Sequence, residues 1–389
     1  MSRRWGKAER LDRLPPYLFV EIDRLRKKLL AEGRDIIDLG IGDPDLATPE
    51  EIIEELCTAV QDPENHRYPL DLGLGEFRYA IAEWFQKRFG VELDPDKEIL
   101  PLIGSKEGIV HFPLAIVNPG DIVLIPEPLY PPYRSGAVFA GAEIYYLSLR
   151  EENGFLPRLE EIPKNILSRA KILYLNYPHN PTTAVVDREY LSQVVHMANE
   201  YGFCILYDNA YSELCFDSYK APSILEVEGG RDVAVEFHSF SKTYNMTGWR
   251  LGWVCGNREL IAALREVKSN IDSGVFNPIQ YAGIKALEIY ETYLPRLLRI
   301  YLQRRDLFVT GLRKIGWMVN FPKATFYIWA KVPKSNSSTE FCKLLLEKSH
   351  IVATPGVGFG PSGEGYVRFA LTTREERLQE AVDRIKKLL

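Results

Sequence analysis

The sequence predicts an α/β protein with a large, doubly wound, mostly parallel sheet and a second, smaller α+β domain. Short apolar runs rich in β-branched residues recur between segments of helical periodicity. This alternation is typical of a parallel sheet with helices on both faces. Beyond Leu260 the pattern changes to long helical segments and then to strands of alternating polarity. The length of 389 residues is sufficient for two domains.

The strands predicted for the large sheet are short, and several are apolar throughout, as expected of strands covered on both faces. They span 121–126, 142–149, 171–176, 203–207, 233–237 and 251–255. Helical patterns at 131–140 and 187–201 lie between them. Because ligands of such sheets bind beyond the carboxyl ends of the strands, we expect functional side chains just after the strand ends.

The second part of the chain begins with a long helical stretch, 281–312. Pro295 should kink or divide it, and Gly316 is its expected stop. The last helix should begin at Thr373, because Thr373 and Glu376 have the spacing of a capping box. The strands predicted between these helices are 317–321, 325–332 and 366–371. The predicted units are an N-terminal arm with part of the small domain (1–45), the large domain (46–290) and the small C-terminal domain (291–389).

Charge and cysteine usage argue against several classes of protein. The net charge is −5 and no long basic run occurs, so the sequence lacks the electrostatic footprint of a nucleic-acid or anionic-membrane binder. The five cysteines are scattered without a C-x-x-C pair, which predicts neither a disulfide framework nor a metal site. Residues 1–13 lack the apolar core of a signal peptide, and no stretch approaches a membrane span. We therefore expect a cytoplasmic protein without nucleic-acid, membrane or metal partners.

One lysine stands in the most distinctive segment of the chain, SFSKTYNMTGWR. The strand predicted just before it places Lys242 at the carboxyl edge of the sheet. A lysine that is desolvated there can act as an amine nucleophile toward a carbonyl. Ser239, Ser241 and Arg250 supply the donors that a phosphate requires, and Arg250 can bind two phosphate oxygens at once. A lysine amine beside a phosphate site is the arrangement that pyridoxal 5′-phosphate requires.

Other residues meet the remaining needs of this cofactor. Asp208, at a predicted strand end, is an acid that can keep the pyridine nitrogen protonated, and Tyr211 and Asn180 are candidates for binding the ring 3′-oxygen. Ser105 opens a helical segment in GSKEG, where backbone N–H groups can face an anion. Tyr130 is the candidate for stacking on the ring. Taken singly, each has an ordinary structural explanation: a turn cap for Asp208, a core position for Tyr211, a simple turn or bend for the others.

Five motifs together resemble the class I/II, fold-type I family of pyridoxal-phosphate-dependent aminotransferases over essentially the whole chain. They are SFSKTYNMTGWRLG, NYPHNPTTAV, YDNAYSEL, RYPLDLGLGEFRYAIA and GYVRFAL. The resemblance implies the fold-type I architecture, ping-pong transamination of amino acids and 2-oxo acids, and a homodimer with shared active sites. Further segments, such as GSKEGIVHFPLAIVNPGD and VKSNIDSGVF, resemble the LL-diaminopimelate aminotransferase group of this family. Those enzymes exchange the amino group between glutamate and tetrahydrodipicolinate in lysine biosynthesis.

The resemblance also implies a role for each matching position. Lys242 would bond to the cofactor and move the substrate proton, with Asp208 and Tyr211 as the other catalytic residues. The implied phosphate-binding residues are Ser105, Lys106, Ser239, Ser241, Arg250 and Tyr68 of the partner subunit. The implied ring-binding residues are Tyr130, Asn180, Asp208 and Tyr211. The implied substrate-binding residues are Tyr17, Gly40, Asn180 and Arg368.

Two positions depart from the family pattern. His179 stands where the family usually has asparagine, and Thr183 stands where it usually has glycine or serine. Both flank Asn180, so we expect changed packing around it without loss of chemistry, with His179 as a packed, neutral histidine. The residues that hold the far end of a substrate vary within the superfamily, and 270–277 is only a candidate region for them.

The sequence leaves some other functions open. A different reaction on the same fold, such as β-elimination, and a broad specificity for aspartate, alanine or aromatic substrates both stay possible. A DNA-binding regulator is disfavoured, because few residues precede Asp38 and the net charge is acidic. A dinucleotide-dependent dehydrogenase is also disfavoured, because the glycine-rich segment 356–360 lies outside a strand–turn–helix unit.

Overall fold

The computed structural model describes residues 6–14, 20–69, 72–333 and 337–389. The helices are α1 Val20–Ala31, α2 Glu50–Ala59, α3 Gly75–Phe89, α4 Ser105–Ile116, α5 Pro131–Phe139, α6 Lys164–Leu167, α7 Arg188–Tyr201, α8 Gly230–Val233, α9 Phe240–Thr243, α10 Arg258–Ser269, α11 Asn277–Glu288, α12 Tyr290–Lys314, α13 Ser338–Ser349 and α14 Glu375–Lys386. The strands are β1 Ile37–Asp38, β2 Ile99–Leu102, β3 Ile122–Glu127, β4 Glu143–Ser148, β5 Ala170–Asn176, β6 Cys204–Asp208, β7 Ala234–Ser239, β8 Gly252–Gly256, β9 Tyr327–Lys331, β10 Ile351–Val352, β11 Thr354–Pro355 and β12 Tyr366–Ala370.

The large sheet has the strand order β2-β8-β7-β6-β5-β3-β4, and only β8 runs opposite to its neighbours. All six predicted strands are confirmed to within one or two residues. The sequence analysis missed β2, which contains Pro101. Proline normally argues against a strand, but it is tolerated in the edge position that β2 occupies.

Alternate side chains of the central strands enter two separate cores. On β5, Leu173 and Leu175 pack into one hydrophobic cluster, and Ile172 and Tyr174 pack into the other. This explains why the central strands read as continuous apolar runs, because neither face meets water. The doubly wound fold is therefore confirmed.

The chain reverses its direction of travel across the sheet between β3 and β5. From β3 it adds β4 on one side and then returns to add β5, β6 and β7 on the other. A crevice forms at such a switch point, outside the carboxyl ends of the strands. Tyr130 follows β3 and Asn180 follows β5, so these two predicted site residues flank the crevice.

The smaller core belongs mainly to the last third of the chain. It surrounds the antiparallel sheet β11-β12-β9 and the short parallel pair β1–β10. Ile37 and Leu39, from the start of the chain, pack here with Phe369 and Leu345. The α+β character of this part is confirmed, whereas the exact domain limits at 45 and 290 stay predictions.

Three predictions for this part are wrong in detail. The long helical stretch divides at Ile289, and Pro295 lies inside α12, where it removes one backbone hydrogen bond without ending the helix. Residues 317–321 form no strand; instead, the Val319 carbonyl accepts a hydrogen bond from the side-chain Nε of Arg313 at 2.6 Å. The last helix starts at Glu375 without a side-chain cap, so Thr373 does not form the predicted capping box.

Gly316 has a φ of +89° directly after α12, which confirms it as the stop of that helix. In the described part of the chain, no helix combines the length and the apolar character needed to cross a bilayer.

Candidate active site

A cavity of about 820 Å³ opens where β3, β5, β6 and β7 end. It is lined by most of the residues predicted to form the site: Gly40, Ser105, Lys106, Tyr130, Asn180, Asp208, Tyr211, Ser239, Ser241, Lys242, Arg250 and Arg368. Tyr68 lies outside this cavity and is 88% exposed. Tyr17 lies outside the described residues. A larger cavity, beside Arg88 and Tyr290, contains none of the predicted site residues.

Lys242 is held in the short helix α9, directly after β7. Ser239 caps this helix by accepting a hydrogen bond from the Ser241 N–H at 3.2 Å, and buried Phe240 anchors it in the core. The Lys242 amine donates to the Gly42 carbonyl at 2.9 Å. Burial lowers the pKa of Lys242 to about 8, with Asp43 opposing the shift and the Arg368 charge adding to it. Much more of the neutral amine is therefore present near neutrality than for an ordinary lysine.

Asp208 is a buried carboxylate at the carboxyl end of β6. Tyr133 donates its hydroxyl hydrogen to Oδ2 at 2.7 Å, and the Ala210 N–H donates to Oδ1 at 3.3 Å. Burial raises the pKa of Asp208 to about 6, although the hydrogen bond from Tyr133 opposes the shift. A carboxylate in this state is stabilised by any cation placed beside it in the cavity.

The sequence analysis missed Tyr133. Tyr130 is the N-cap of α5 and Tyr133 lies three positions further on, so both side chains are close, with ring centroids 5.6 Å apart. The spacing in YPPY was the available signal, but it became useful only once Tyr130 was placed at a helix start. Tyr133 is therefore the residue that orients Asp208.

We expect Tyr133→Phe to remove a hydrogen bond that stabilises the ionised form of Asp208. Loss of the hydrogen bond should raise the pKa of Asp208 further, lower kcat roughly tenfold and move the acid limb of the kcat/KM profile to higher pH. The measurement is a pH–rate profile of the variant. Tyr174→Phe is the matched control, because Tyr174 packs on Tyr133 with ring centroids 5.1 Å apart and its hydroxyl has no hydrogen-bond partner among the described residues. An unchanged profile for Tyr133→Phe would contradict this role.

The phosphate-type cradle depends on Gly104. Its φ is +73°, and a Cβ atom at this position would lie 2.2 Å from Arg250 Nη2. The guanidinium thus packs directly over the backbone that begins α4, where Ser105 and Lys106 line the cavity. Arg250 is itself held by a 2.8 Å hydrogen bond from Nη1 to the Thr247 carbonyl. Helix N–H groups, a hydroxyl, an amine and a guanidinium therefore converge, as an anion site requires.

Arg368, on β12, also lines the cavity. Its Nη1 donates to Asn180 Oδ1 at 2.7 Å and its Nη2 donates to the Gly40 carbonyl at 2.9 Å. Its Nε is buried without a partner among the described residues. The guanidinium also packs over the Tyr327 ring, 4.2 Å from the ring centroid. An oriented guanidinium in a cavity is suited to bind a carboxylate.

Asn180 and Tyr211 are positioned by residues that the sequence analysis did not identify. Asn176 Oδ1 accepts a hydrogen bond from the Asn180 N–H at 2.9 Å, and Asn176 Nδ2 donates to the Asp208 carbonyl at 2.7 Å. The hydroxyls of Tyr211 and Tyr327 lie 3.0 Å apart. Asn176 ends a predicted strand and opens the motif NYPHNPTTAV, but it was read as part of the strand, and Tyr327 comes from a distant part of the chain.

The two departures from the family pattern have structural consequences next to Asn180. His179 is buried, and burial lowers its pKa to about 3, which agrees with the neutral, packed histidine expected. Its Nδ1 lies 2.6 Å from Thr182 Oγ1. Thr183 has a φ of +64°, in the region that favours glycine. A β-branched residue is strained there, which explains why glycine would suit this position.

The residues of the cavity fit pyridoxal 5′-phosphate. The cradle beside Gly104 suits a phosphate, Asp208 needs a neighbouring cation such as a pyridinium, and the amine of Lys242 is partly neutral. The partnerless Nε of Arg368 leaves this guanidinium able to bind a carboxylate. These features make the cavity a candidate site for pyridoxal 5′-phosphate and for the transfer chemistry that this cofactor supports.

Comparisons with known proteins agree with this assignment. The family model described as aminotransferase class I and II matches residues 34–385. The chain is 53% identical over 382 residues to the LL-diaminopimelate aminotransferase of Syntrophobacter fumaroxidans, with 98% of each chain covered. It is 52% identical over 381 residues to that of Aquifex aeolicus, again with 98% of each chain covered. It matches the solved structure of substrate-bound BacF from Bacillus subtilis with a TM-score of 0.95 and 38% identity, over 99% of this chain and 98% of that chain.

The chain therefore belongs to the class I and II aminotransferase family, as the sequence motifs implied. It is an aminotransferase that uses pyridoxal 5′-phosphate.

Proposed function

We propose that this protein moves an amino group between glutamate and tetrahydrodipicolinate, and thereby makes LL-diaminopimelate for lysine biosynthesis. The observation that carries the proposal is the full-length identity of about half to LL-diaminopimelate aminotransferases, over 98% of both chains. The cavity agrees with it, because Arg368 can receive the carboxylate of either amino acid.

The proposed chemistry divides between the cofactor and the protein. Bound pyridoxal 5′-phosphate supplies an aldehyde that bonds to amines and a ring that accepts the electrons of the substrate Cα–H bond. Ser105, Lys106, Ser239, Ser241 and Arg250 would bind its phosphate. Tyr130 would pack on its ring, and Asn180 and Tyr211 would contact its 3′-oxygen.

Lys242 is the proposed proton carrier. Its neutral amine would take the proton from the substrate Cα, and the resulting ammonium group would pass that proton to the cofactor C4′. The lowered pKa makes this amine available as a base, and the Gly42 carbonyl accepts its hydrogen bond. Asp208 supplies the negative charge that keeps the ring nitrogen protonated, so that electrons are withdrawn from Cα.

Arg368 would orient the substrate by its α-carboxylate, which directs the Cα–H bond toward Lys242. The first product, a 2-oxo acid, leaves before the second substrate binds, so the kinetics should be ping-pong. The same cavity then binds the second substrate through the same guanidinium. This shared use is consistent with both substrates carrying a carboxylate beside the reacting carbon.

A half-reaction experiment tests the proposal. The loaded protein is mixed separately with glutamate, LL-diaminopimelate, aspartate and alanine, and conversion of the cofactor to its amino form is followed by absorbance. We expect fast conversion with glutamate and LL-diaminopimelate and slow conversion with the other two. Fast conversion with aspartate or alanine and none with LL-diaminopimelate would favour a broad-specificity aminotransferase instead. Loss of substrate without the amino form of the cofactor would favour a lyase.

We also propose that the protein is a cytoplasmic homodimer with shared active sites. Tyr68 supports the dimer, because it is a large aromatic residue that is 88% exposed and absent from the cavity of its own chain. In a dimer of the family type, it would reach the cofactor phosphate of the other subunit. Light scattering of the purified protein tests the dimer, and a monomeric mass for an active protein would contradict it.

A further inference from the structure

A buried lysine outside the cavity binds two carboxylates beside the helix that forms the phosphate cradle. Lys268, near the end of α10, is only 2% exposed. Its Nζ lies 2.7 and 2.8 Å from the two carboxylate oxygens of Asp272, and 3.5 Å from Glu107 Oε2. Burial of an ammonium group without a partner costs free energy. The contacts with Asp272 and Glu107 therefore stabilise the buried charge of Lys268.

Glu107 occupies the third position of α4, and Gly104 is the N-cap. In a capping box, an N-cap side chain binds the backbone N–H of the third residue, and a glutamate there binds back. Gly104 has no side chain, and its own N–H donates to the Leu102 carbonyl at 2.7 Å, so Glu107 reaches back to the residue before the N-cap instead. Glu107 Oε2 accepts a hydrogen bond from the Ile103 N–H at 3.2 Å, and Oε1 lies 2.7 Å from His111 Nδ1. Glu107 thus binds the backbone of this turn without lining the cavity. Another anion can therefore bind at the helix start from the cavity.

This arrangement puts two negative groups at one helix terminus. A glutamate in the first turn is stabilised by the helix dipole, and so is a phosphate bound at the same terminus. Two negative groups at the same helix terminus repel each other, so an unpaired Glu107 would weaken phosphate binding. Lys268 is the lysine in contact with Glu107, beside the closer His111 Nδ1, and Asp272 keeps Lys268 in place while accepting a hydrogen bond from the Gly274 N–H at 2.7 Å.

We propose that Lys268 is a positioning residue for the cofactor phosphate. It offsets part of the negative charge of Glu107, so that Glu107 can close the Ile103–Glu107 turn with less repulsion of the phosphate bound by the same helix. The inference rests on the proposed placement of the phosphate at Ser105 and Lys106. It predicts that the charge of residue 107, rather than the packing of residue 268, controls how tightly the phosphate is held.

The test measures cofactor dissociation from the loaded, full-length protein by dialysis against inorganic phosphate, with absorbance as the readout. We expect Lys268→Met to weaken retention of pyridoxal 5′-phosphate roughly tenfold. Glu107→Gln in the same chain should restore retention to within about twofold, because Gln still accepts from Ile103 but carries no charge. Lys268→Arg should retain the cofactor as the unmodified protein does. Binding of pyridoxal, which lacks the phosphate, should be the same in all variants.

Arg231→Met is the matched control for a general loss of stability. Arg231 Nη2 lies 2.8 Å from both carboxylate oxygens of buried Glu98, and neither residue lines the cavity. This variant should lower the melting temperature without changing cofactor retention. Glu107→Gln alone keeps the proposal testable if Lys268→Met fails to fold, and it should retain the cofactor at least as tightly as the unmodified protein.

Three results would overturn the inference: unchanged retention in Lys268→Met, a weakening that persists after Glu107→Gln is added, or an equal weakening for pyridoxal. Ser105→Ala separates this failure from failure of the phosphate placement. If Ser105→Ala weakens retention and Lys268→Met does not, only the role of Lys268 is wrong. If neither variant weakens it, the phosphate does not bind at α4 and both ideas are wrong.

Discussion

Replacement of Lys242 by alanine should abolish the amine-linked absorbance of the bound cofactor and lower turnover by roughly 10⁴-fold or more. The reason is that Lys242 is the amine in the cavity whose pKa is lowered, to about 8, and whose Nζ is already held at the Gly42 carbonyl. Among the described residues, Lys106 is the one other lysine that lines this cavity. The measurements are a visible absorption spectrum and steady-state kinetics on protein loaded with cofactor.

A matched control excludes a general effect of removing a lysine. Lys343 is exposed on α13, with a 3.9 Å surface contact to Glu347, so Lys343→Ala should leave the spectrum and the turnover unchanged. A melting temperature of Lys242→Ala close to that of the unmodified protein would show that the fold is intact. Normal turnover in Lys242→Ala would contradict the proposed mechanism.

Replacement of Asp208 by asparagine should have the second-largest effect, with turnover lowered by roughly 10³-fold, because a neutral side chain cannot keep the ring nitrogen protonated.

The same substitution should increase the stability of the cofactor-free protein at neutral pH. Burial raises the pKa of Asp208 to about 6, so at neutral pH the protein without cofactor holds an unfavourable buried charge. One pKa unit corresponds to about 1.4 kcal/mol, so this charge costs roughly 3 kcal/mol.

The pH dependence of this cost has a definite sign. The pKa of Asp208 is higher in the folded protein than in the unfolded chain, so its contribution to stability is greatest at acid pH and is lost as pH rises through about 6. Asparagine does not titrate. Denaturant unfolding of the cofactor-free proteins should therefore show Asp208→Asn gaining stability over the unmodified protein as the pH is raised from about 4.5 to 7.5. A constant difference across this range would contradict the buried-charge argument.

Much of the fold could be predicted because the local signals agreed with one another. The central strands are buried on both faces, so their apolar runs were unmistakable, and Asp187 and Gly316 mark helix ends as expected. The errors lie where tertiary contacts decide. Pro101 is tolerated in β2 because that strand is at the edge, and residues 317–321 are held through side chains without pairing as a strand.

The candidate site followed the same rule. Residues placed directly after strand ends, such as Asp208 and Lys242, were predictable from their position in the α/β pattern. Tyr133, Asn176 and Tyr327 were not, because each acts on a site residue through a contact that only the folded chain creates. The buried contact of Lys268 with Glu107 is of the same kind, joining residues 161 positions apart.

The most direct test of the site is to locate the covalent attachment of the cofactor. The protein loaded with pyridoxal 5′-phosphate is reduced with borohydride, digested, and analysed by mass spectrometry for the lysine that carries the pyridoxyl group. The proposed site predicts modification of Lys242, in the peptide that contains SFSKTYNMTGWR, at close to one group per chain. Modification of a different lysine, or none at saturating cofactor, would contradict the assignment of this cavity as the active site.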